Sequence, residues 1–268
     1  MTKHEPALIA PDTFVLPATL PVPGRGVQYV NPFLIRGAEP LLVDTGAAVL
    51  AEEYFSSLGS LIDLEDIRWI FISHDDRDHT GGLLRLLDLC PSARVLTSFQ
   101  AVNRMTKETP LPLDRMEFVE IGCSVSIGDR RLHVMRPPLY DSPATRGFFD
   151  DRTGVYYAVD AFGAVTPQYH QLVDEVSPTA YRDGFYWLNR ANTPWLELVE
   201  PAKLQAVVGD VRALDPSVIA TTHGPVVTGS AVSRVLELMC TIPTQPVAFP
   251  SKEDLAATQA LQAAEMLP

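Results

Sequence analysis

One loop of the sequence, residues 71–82, concentrates side chains that bind metal ions. Its letters, FISHDDRDHTGG, include two histidines and three aspartates, and the loop follows an apolar run and precedes a segment with helical apolar spacing. Imidazole and carboxylate groups suit zinc, iron and manganese. His74 and Asp76 are two residues apart and are predicted to reach one ion, whereas the adjacent Asp78 and His79 turn toward a second.

Two later segments place further ligand-type residues directly after apolar, strand-like runs. Asp160 follows the run in GVYYAVDAFG, and His223 follows the run in SVIATTHGPV. Side chains at strand ends can converge at one rim, and a carboxylate has two oxygens with which to bridge two cations. We therefore predict a pair of metal ions, with Asp160 as the bridge and His223 as the remaining ligand. The competing interpretation, a solvated DDRD turn and a histidine that merely ends a strand, has to account for all six residues together.

The elements that must position these residues are strands interleaved with helices. Strands are predicted within 27–46 (two, around a turn at Gly37 and Ala38), 67–73, 93–98, 117–138 (antiparallel, around Gly128 and Asp129), 154–163 and 217–226, and helices within 48–58, 81–90, 176–214 and 231–240. No internal repeat or linker divides the chain. This order predicts an α/β fold with sheets sandwiched by helices in a single domain.

Composition excludes several classes of function. The chain has 268 residues, 46% of them hydrophobic, and a net charge of −12, which repels nucleic acids and anionic membrane surfaces. Its proline-broken N-terminus predicts no signal peptide, and no apolar stretch approaches a membrane span. Three widely spaced cysteines predict thiols in a reducing cytoplasm. Small molecules or a basic protein remain as partners.

Three motifs together resemble the metallo-β-lactamase superfamily. They are the His-x-Asp-x-Asp-His loop at 74–79, the DTG at 44–46 and the THGP at 222–225. The resemblance covers roughly Leu16 to Cys240 and implies an αββα sandwich of two mixed sheets flanked by helices, with a binuclear metal site at one edge. We expect one domain over residues 1–268, in which a core at about 16–240 is followed by an extension at 241–268.

Within that superfamily, the sequence resembles the metal domain of flavodiiron proteins and of flavin-free oxygen-binding diiron proteins. Those proteins carry a carboxylate at the position of Asp76, where hydrolases commonly have histidine. VDAFG at 159–163, YVNPFLI at 29–35 and FYWLNRANTPW at 185–195 resemble segments of the same branch. The resemblance implies two iron ions, and anionic oxygen ligands favour hard, higher-valent iron over zinc. Zinc and manganese stay open.

The sequence departs from that family at one ligand position. The family has a histidine ahead of a Pro-Asp-Ser stretch, whereas this chain reads MRPPLYDSP at 135–143 and has Tyr140 there. Tyr140 is predicted to bind ferric iron as a tyrosinate, to hydrogen-bond a metal-bound water as a phenol, or to leave the first site weakened. Asp141 replaces a ligand or caps the following turn, and the turn is preferred. Asp44 resembles an aspartate that orients the metal loop.

The resemblance implies a diiron protein that binds or reduces dioxygen or nitric oxide, or senses redox state, with Asp78 and Tyr140 as catalytic candidates. The chain stops at Pro268, so we expect no flavin within it and electrons from a separate donor protein. A homodimer stays open. Two other classes compete. One is a binuclear metallo-hydrolase in which Asp78 orients the attacking water, and the other is a binding protein with a degenerate metal site.

Overall fold

The computed structural model describes residues 2–245 and 251–265. Its strands form two large sheets and one small sheet. The seven-stranded sheet contains β2 (Ala7–Ala10), β3 (Thr13–Val15), β6 (Phe33–Ile35), β7 (Leu41–Val43), β8 (Trp69–Phe71), β9 (Arg94–Thr97) and β10 (Met116–Phe118). The six-stranded sheet contains β11 (Ser124–Ile127), β12 (Arg130–Met135), β13 (Gly147–Asp150), β14 (Val155–Val159), β15 (Val218–Thr221) and β16 (Val227–Thr228). The small sheet contains β1 (Thr2–Lys3), β4 (Ala18–Val22) and β5 (Gly26–Val30).

Helices cover the outer faces of the two large sheets. The α-helices are α1 (Ala51–Gly59), α2 (Arg77–Thr80), α3 (Leu83–Leu89), α4 (Phe99–Met105), α5 (Pro178–Asn192), α6 (Pro201–Ala213), α7 (Ser230–Thr241) and α8 (Lys252–Glu265). Short 3-10 helices lie at Ala48–Leu50, Leu64–Asp66, Leu113–Arg115, Val173–Glu175, Pro194–Leu198 and Ile242–Thr244. In the described residues, no helix is both long and apolar enough to cross a membrane.

Three hydrophobic layers hold the sandwich together, and strand alternation divides the side chains among them. In β6, Phe33 and Ile35 face the layer between the two sheets, whereas Leu34 faces the layer beneath α1, α3 and α4. In β14, Tyr157 faces the central layer, and Tyr156 faces the layer beneath α5, α6 and α7. Because each strand has apolar residues on both faces, it reads as a continuous apolar run. The predicted αββα sandwich of two mixed sheets is confirmed.

Two predicted hairpins are confirmed, β6 with β7 around Gly37 and Ala38 and β11 with β12 around Gly128 and Asp129, but each predicted segment contains one strand more. Residues 27–46 form three strands, because the chain leaves the small sheet after β5 and enters the seven-stranded sheet at β6. Pro32 lies at this crossing and has no N–H to donate to a ladder. Similarly, β10 pairs in parallel with β9 and not with β11. A turn at Gly122, whose φ of 87° suits glycine, then carries the chain to the other sheet.

Parallel pairing places several strand ends at one rim. β7 and β8 run parallel in the seven-stranded sheet, and β14 and β15 run parallel in the six-stranded sheet. Each pair therefore ends on the same side of its own sheet. The loops that leave these four strands carry Asp44, His74, Asp160 and His223.

Candidate metal centre

The structure brings all six predicted histidines and aspartates together at this rim. Their ligand atoms form overlapping groups in which every atom lies within 4.8 Å of the others. The groups are His74, His79 and Asp160; Asp78, His79 and His223; and His74, Asp76 and Asp141. Asp141 is therefore a seventh member, which the sequence interpretation had assigned to a turn.

One part of the cluster, called here the histidine-rich end, consists of His79, His223 and Asp78 with Asp160 Oδ1. The Nε2 atoms of His79 and His223 lie 3.1 Å and 3.2 Å from Asp160 Oδ1. His223 Nε2 is 3.3 Å from Asp78 Oδ2, and His79 Nε2 is 3.9 Å from Asp78 Oδ1. Two imidazoles and two carboxylates thus face a common point.

The other part, called here the carboxylate-rich end, consists of His74, Asp76 and Asp141 with Asp160 Oδ2. His74 Nε2 lies 3.5 Å from Asp160 Oδ2, 3.7 Å from Asp76 Oδ2 and 3.8 Å from Asp141 Oδ1. The two oxygens of Asp160 therefore face different ends. This is the arrangement that a bridging carboxylate requires.

Local backbone geometry presents Asp160 and the 74–79 loop. Asp160 follows Val159, which has a φ of 56°, and Phe162 has a φ of 67°. Positive φ is costly for a β-branched residue and is concentrated at functional sites. At the end of the metal loop, a Cβ on Gly81 would lie 2.2 Å from the Ala48 nitrogen. Only glycine lets this loop pack so closely against the chain that follows β7.

Hydrogen bonds at the Nδ1 atoms aim two imidazoles into the cluster. His79 Nδ1 donates to Asp44 Oδ2 at 2.8 Å, and His223 Nδ1 donates to the Tyr29 carbonyl at 2.8 Å. Asp44 also accepts from the Ser73 backbone N–H at 2.8 Å and from the Ser73 hydroxyl at 2.9 Å. Such bonds fix the tautomer and leave Nε2 free for a metal ion. The role predicted for Asp44 agrees with these contacts.

The histidines and aspartates of the cluster shift one another's pKa values. Burial would lower the pKa of His79, but the carboxylates of Asp44 and Asp160 overcome it and hold that pKa well above its usual range. Burial would raise the pKa of Asp160, but His74, His79 and His223 hold it well below its usual range. His74 and His223 also have raised pKa values, because nearby carboxylates outweigh their burial. A cation placed here would displace protons from these imidazoles.

Buried atoms without partners test whether a metal ion fits. Within the described residues, His74 Nε2, His79 Nε2 and Asp160 Oδ1 are buried and form no hydrogen bond of acceptable geometry. Leaving such atoms unpaired costs free energy. All three face the cluster, so a shared metal pair would satisfy them. The donor set of the site therefore fits two metal ions.

Tyr140 is not brought to the cluster in the way the sequence predicts. Its ring packs on Trp195, with centroids 5.2 Å apart, and under the Arg136 guanidinium. Its carbonyl accepts a hydrogen bond from Trp195 Nε1 at 2.9 Å. In the described part of the chain, its hydroxyl forms no hydrogen bond with any of the six predicted ligands. The ligand role of Tyr140 stays a prediction that these contacts do not support.

The turn-capping role preferred for Asp141 is wrong. The backbone N–H of Ala144 donates to the Ser142 hydroxyl at 3.1 Å, and that of Thr145 donates to the Ser142 carbonyl. Ser142 therefore caps this turn. Among residues 2–245 and 251–265, no hydrogen bond to the Asp141 carboxylate is found. No pattern in the sequence separates the roles of these two neighbouring residues.

Fold and rim together define an αββα protein of the metallo-β-lactamase type with a binuclear ligand set. The profile of the ODP family beta lactamase matches residues 28–224, which is most of the chain. The chain therefore belongs to that family. The predicted resemblance to the diiron branch of the superfamily is confirmed by this match and by the relatives that follow.

Curated relatives are flavorubredoxins. An anaerobic nitric oxide reductase flavorubredoxin from Salmonella typhi is 31% identical over 205 residues, which are 75% of this chain and 42% of that protein. A flavorubredoxin homologue from Escherichia coli O157:H7 is 30% identical over 75% of this chain and 49% of its own length. The chain thus spans less than half the length of these relatives.

Solved structures share the fold at low sequence identity. Rubredoxin oxygen:oxidoreductase from Desulfovibrio gigas superposes with a TM-score of 0.79 at 19% identity, over 90% of this chain and 62% of that chain. The diiron chemotaxis sensor ODP superposes with a TM-score of 0.68 at 21% identity, over 88% of this chain and 94% of that chain. At these identities the likeness concerns the fold.

Proposed function

We propose that this protein is a non-haem diiron protein that binds or reduces dioxygen or nitric oxide, or senses redox state, with electrons from a separate donor protein. The oxygen-rich donor set carries the proposal: four carboxylates and three imidazoles surround the two positions at the rim. Hard oxygen ligands favour iron and manganese over zinc. Asp76 matters most, because hydrolases of this superfamily commonly have histidine at its position.

The names of the relatives support the same chemistry. The curated proteins are described as nitric oxide reductase flavorubredoxins, and the superposed structures are described as an oxygen oxidoreductase and a diiron sensor. Only part of each flavorubredoxin is matched, so the donor of electrons and the final reaction are part of our proposal. The purified chain of this sequence is expected to contain no stoichiometric flavin.

Within the proposal, the residues have distinct tasks. An iron pair, when bound, would bind and reduce a diatomic gas by supplying more electrons than one metal can. Asp160 would hold both ions at a fixed separation, because its two oxygens face the two ends. Asp44 and the Tyr29 carbonyl keep the imidazoles of His79 and His223 from rotating. Their role is to fix the geometry before the gas arrives.

A cleft beside the histidine-rich end gives a small molecule access. Its volume is about 730 Å³, and Asp78 lies in its wall together with apolar residues such as Val49, Leu84 and Met105. The apolar part of the lining suits dioxygen and nitric oxide, and the charged residues Asp75, Arg77 and Glu108 also line the wall with Asp78. Asp78 contacts His223 and, of the six predicted ligands, is the one that lines the cleft, so a molecule that enters the cleft reaches the cluster beside it.

We also propose a cytoplasmic location, a metal domain at about 16–240 and an extension at 241–268. Three free cysteines support a reducing compartment. The family match at 28–224 lies inside the proposed domain. A homodimer is compatible with this arrangement and is testable by sedimentation.

Metal analysis tests the function most directly. Protein purified without added metal should contain iron, or should take up two equivalents of ferrous ion under anaerobic conditions. The ferrous protein should then consume dioxygen or nitric oxide, with turnover only when a reductant or reductase is supplied. Stoichiometric zinc together with esterase or phosphodiesterase turnover would overturn the proposal in favour of the hydrolase. Failure to bind any metal would favour the degenerate binding protein.

A further inference from the structure

At the carboxylate-rich end, a ligand atom of Asp141 lies within 4.8 Å of those of His74 and Asp76. Resting on the metal pair proposed above, we propose that Asp141, and not Tyr140, completes the first metal site, and that Arg104 is the residue that positions the Asp141 loop. The site is then one imidazole and three carboxylates. The two ions of the pair are then inequivalent, since the histidine-rich end has two imidazoles.

Distances from His74 carry the first step. Two ligands that are each about 2.1 Å from one ion and separated by about 90–110° lie about 3.0–3.4 Å apart. Asp160, Asp76 and Asp141 lie 3.5 Å, 3.7 Å and 3.8 Å from His74 Nε2. A contraction of a few tenths of an ångström would therefore bring each of these oxygens to the separation from His74 Nε2 that two ligands of one ion have.

His74 provides an independent sign of a ligand at this point. Its side chain is 0% exposed, and its Nε2 has no hydrogen-bond partner among the described residues. Its Nδ1 lies 3.1 Å from the Ser73 hydroxyl, which leaves Nε2 pointing at the three carboxylates. A buried nitrogen aimed at three carboxylates is satisfied by a shared cation.

The neighbours of Asp141 have other tasks, which leaves its carboxylate for the metal. Ser142 caps the following turn through its hydroxyl. The ring of Tyr140 is packed between Trp195 and Arg136. A rotation of Tyr140 toward the cluster would break both aromatic contacts, whereas Asp141 already faces His74.

Arg104 ties the Asp141 loop to the metal loop. Its Nε lies 2.9 Å from Asp75 Oδ2, and its Nη1 donates to the Ser142 hydroxyl at 2.8 Å. Asp75 directly precedes one ligand, Asp76, and Ser142 directly follows the other, Asp141. One guanidinium from α4 thus joins the two segments beside their ligands. A planar fork makes such a double contact with little loss of freedom.

Iron binding to variants of the full chain tests Asp141. Ferrous titration followed by Mössbauer spectroscopy of ⁵⁷Fe-loaded protein should show two inequivalent irons in the wild type. Asp141→Ala should weaken one of them by roughly tenfold or more and leave the signal of the other unchanged. Asp141→His should keep both irons, because an imidazole can replace the carboxylate as a ligand. Tyr140→Phe, the matched neighbouring control, should bind both irons as the wild type does.

The outcomes separate this inference from the proposed function. A wild-type chain that binds no metal pair would end both. A wild type with two irons whose Asp141→Ala variant binds them equally well would overturn the ligand role of Asp141 alone. A visible charge-transfer band of the ferric protein that Tyr140→Phe abolishes would assign the site to Tyr140 and also overturn the inference. Thermal unfolding checks that each variant is folded, and Asp141→Asn serves if the alanine variant is not.

Arg104 needs a readout that a general loss of stability would not produce. Arg104→Ala should weaken the same iron that Asp141→Ala weakens, by several-fold, and Arg104→Lys should recover part of the loss. Arg85→Ala is the matched control, because Arg85 lies outside the metal loop, pairs with Glu52 and has no contact with Ser142 among the described residues. Equal weakening of both irons, or none, would overturn the positioning role.

Discussion

The two ends of the cluster share Asp160 but are built in different ways. At the histidine-rich end, the imidazoles of His79 and His223 are buried and each is held through Nδ1. At the carboxylate-rich end, the side chains of Asp76 and Asp141 are 43% and 26% exposed. The histidine-rich end thus has one partly exposed carboxylate of its own, Asp78 at 30%, whereas the carboxylate-rich end has two.

This difference predicts how the two ends bind and release metal. Buried ligands whose orientation is already fixed lose little entropy when an ion arrives. Exposed carboxylates lose more and admit water to the ion. We therefore expect the histidine-rich end to retain its ion more tightly, and the carboxylate-rich end to exchange its ion first under a chelator.

Removal of Asp160 should have the largest effect, because this residue serves both ends. Asp160→Ala is expected to reduce the bound metal by more than one equivalent, and elemental analysis after gel filtration measures the loss. Asp88→Ala, a change of an exposed aspartate in α3, is the control and should bind metal as the wild type does. If Asp160→Ala kept both ions, the bridging assignment would be wrong.

Removal of one histidine should empty only the histidine-rich end. His79→Ala or His223→Ala is expected to lose at least one metal equivalent without unfolding the chain, since the sandwich core lies outside the cluster. Elemental analysis measures the metal loss, and circular dichroism checks that each variant is folded. His170→Ala is the control, because the bond of His170 to the Tyr29 hydroxyl comes from its backbone N–H, which the substitution keeps. Full retention of metal by both variants would reject the ligand assignment.

Loss of the Asp44 carboxylate, which orients His79, should weaken metal binding at the histidine-rich end, but by less than loss of a histidine does. Asp44→Asn keeps the shape but removes the charge, and changes of this kind typically cost about 10–100-fold in metal affinity. Competition with a chelator of known affinity measures the change. Ser73→Ala removes one hydroxyl contact to Asp44 but keeps the backbone N–H contact, so its effect should be smaller. An Asp44→Asn protein with wild-type affinity would contradict this role.

Acidification should weaken metal binding gradually at both ends. In the metal-free protein the pKa values of His74, His79 and His223 are raised, so these imidazoles hold protons that an ion must displace. Affinity should therefore rise with pH until the raised pKa values are passed. Ferrous titrations between about pH 5.5 and 8.5 measure this slope. An affinity independent of pH would contradict it.

The same pKa shifts set the sign of stability in the metal-free protein. A histidine whose pKa is raised on folding stabilises the fold below its unfolded pKa of about 6.5, and this contribution is lost as pH rises through the folded value. Asp160, whose pKa is lowered on folding, stabilises the fold above its unfolded pKa of about 3.9, and this stabilisation is lost as pH falls through the folded pKa. The unfolding temperature of the metal-free protein should thus fall above neutral pH, whereas that of the metal-loaded protein should not.

Local patterns in the sequence predicted sheets sandwiched by helices and the convergence of six side chains, whereas the αββα arrangement was implied by the family resemblance. Apolar runs that end in histidine or aspartate mark strand ends, and parallel strands end on one side of a sheet. Sheet membership was harder to predict. The segment that became β5 and the one that became β10 read as strands, but which partner each joins depends on contacts with distant residues.

Arg104 and Ser73 had no signal in the sequence that connects them to the site. Arg104 lies in α4, and a surface arginine in a helix is the ordinary case. Its contacts with Asp75 and Ser142 join two loops that are far apart in the chain. Ser73 stands beside His74 in the printed sequence, but its bonds to Asp44 depend on the pairing of β7 with β8.

The types of ligand, their grouping along the chain and the oxygen-rich character of the site were determined by the sequence alone, since they are properties of residue chemistry and spacing. Which Asp160 oxygen faces which end, and whether Tyr140 or Asp141 faces His74, was decided only by the tertiary structure. Adjacent residues in a loop point in different directions, and the 136–146 loop is bonded to distant residues through Arg104 and Ser142 and through the Arg146 N–H and the Ser73 carbonyl. Such long-range contacts leave no periodic pattern in the chain.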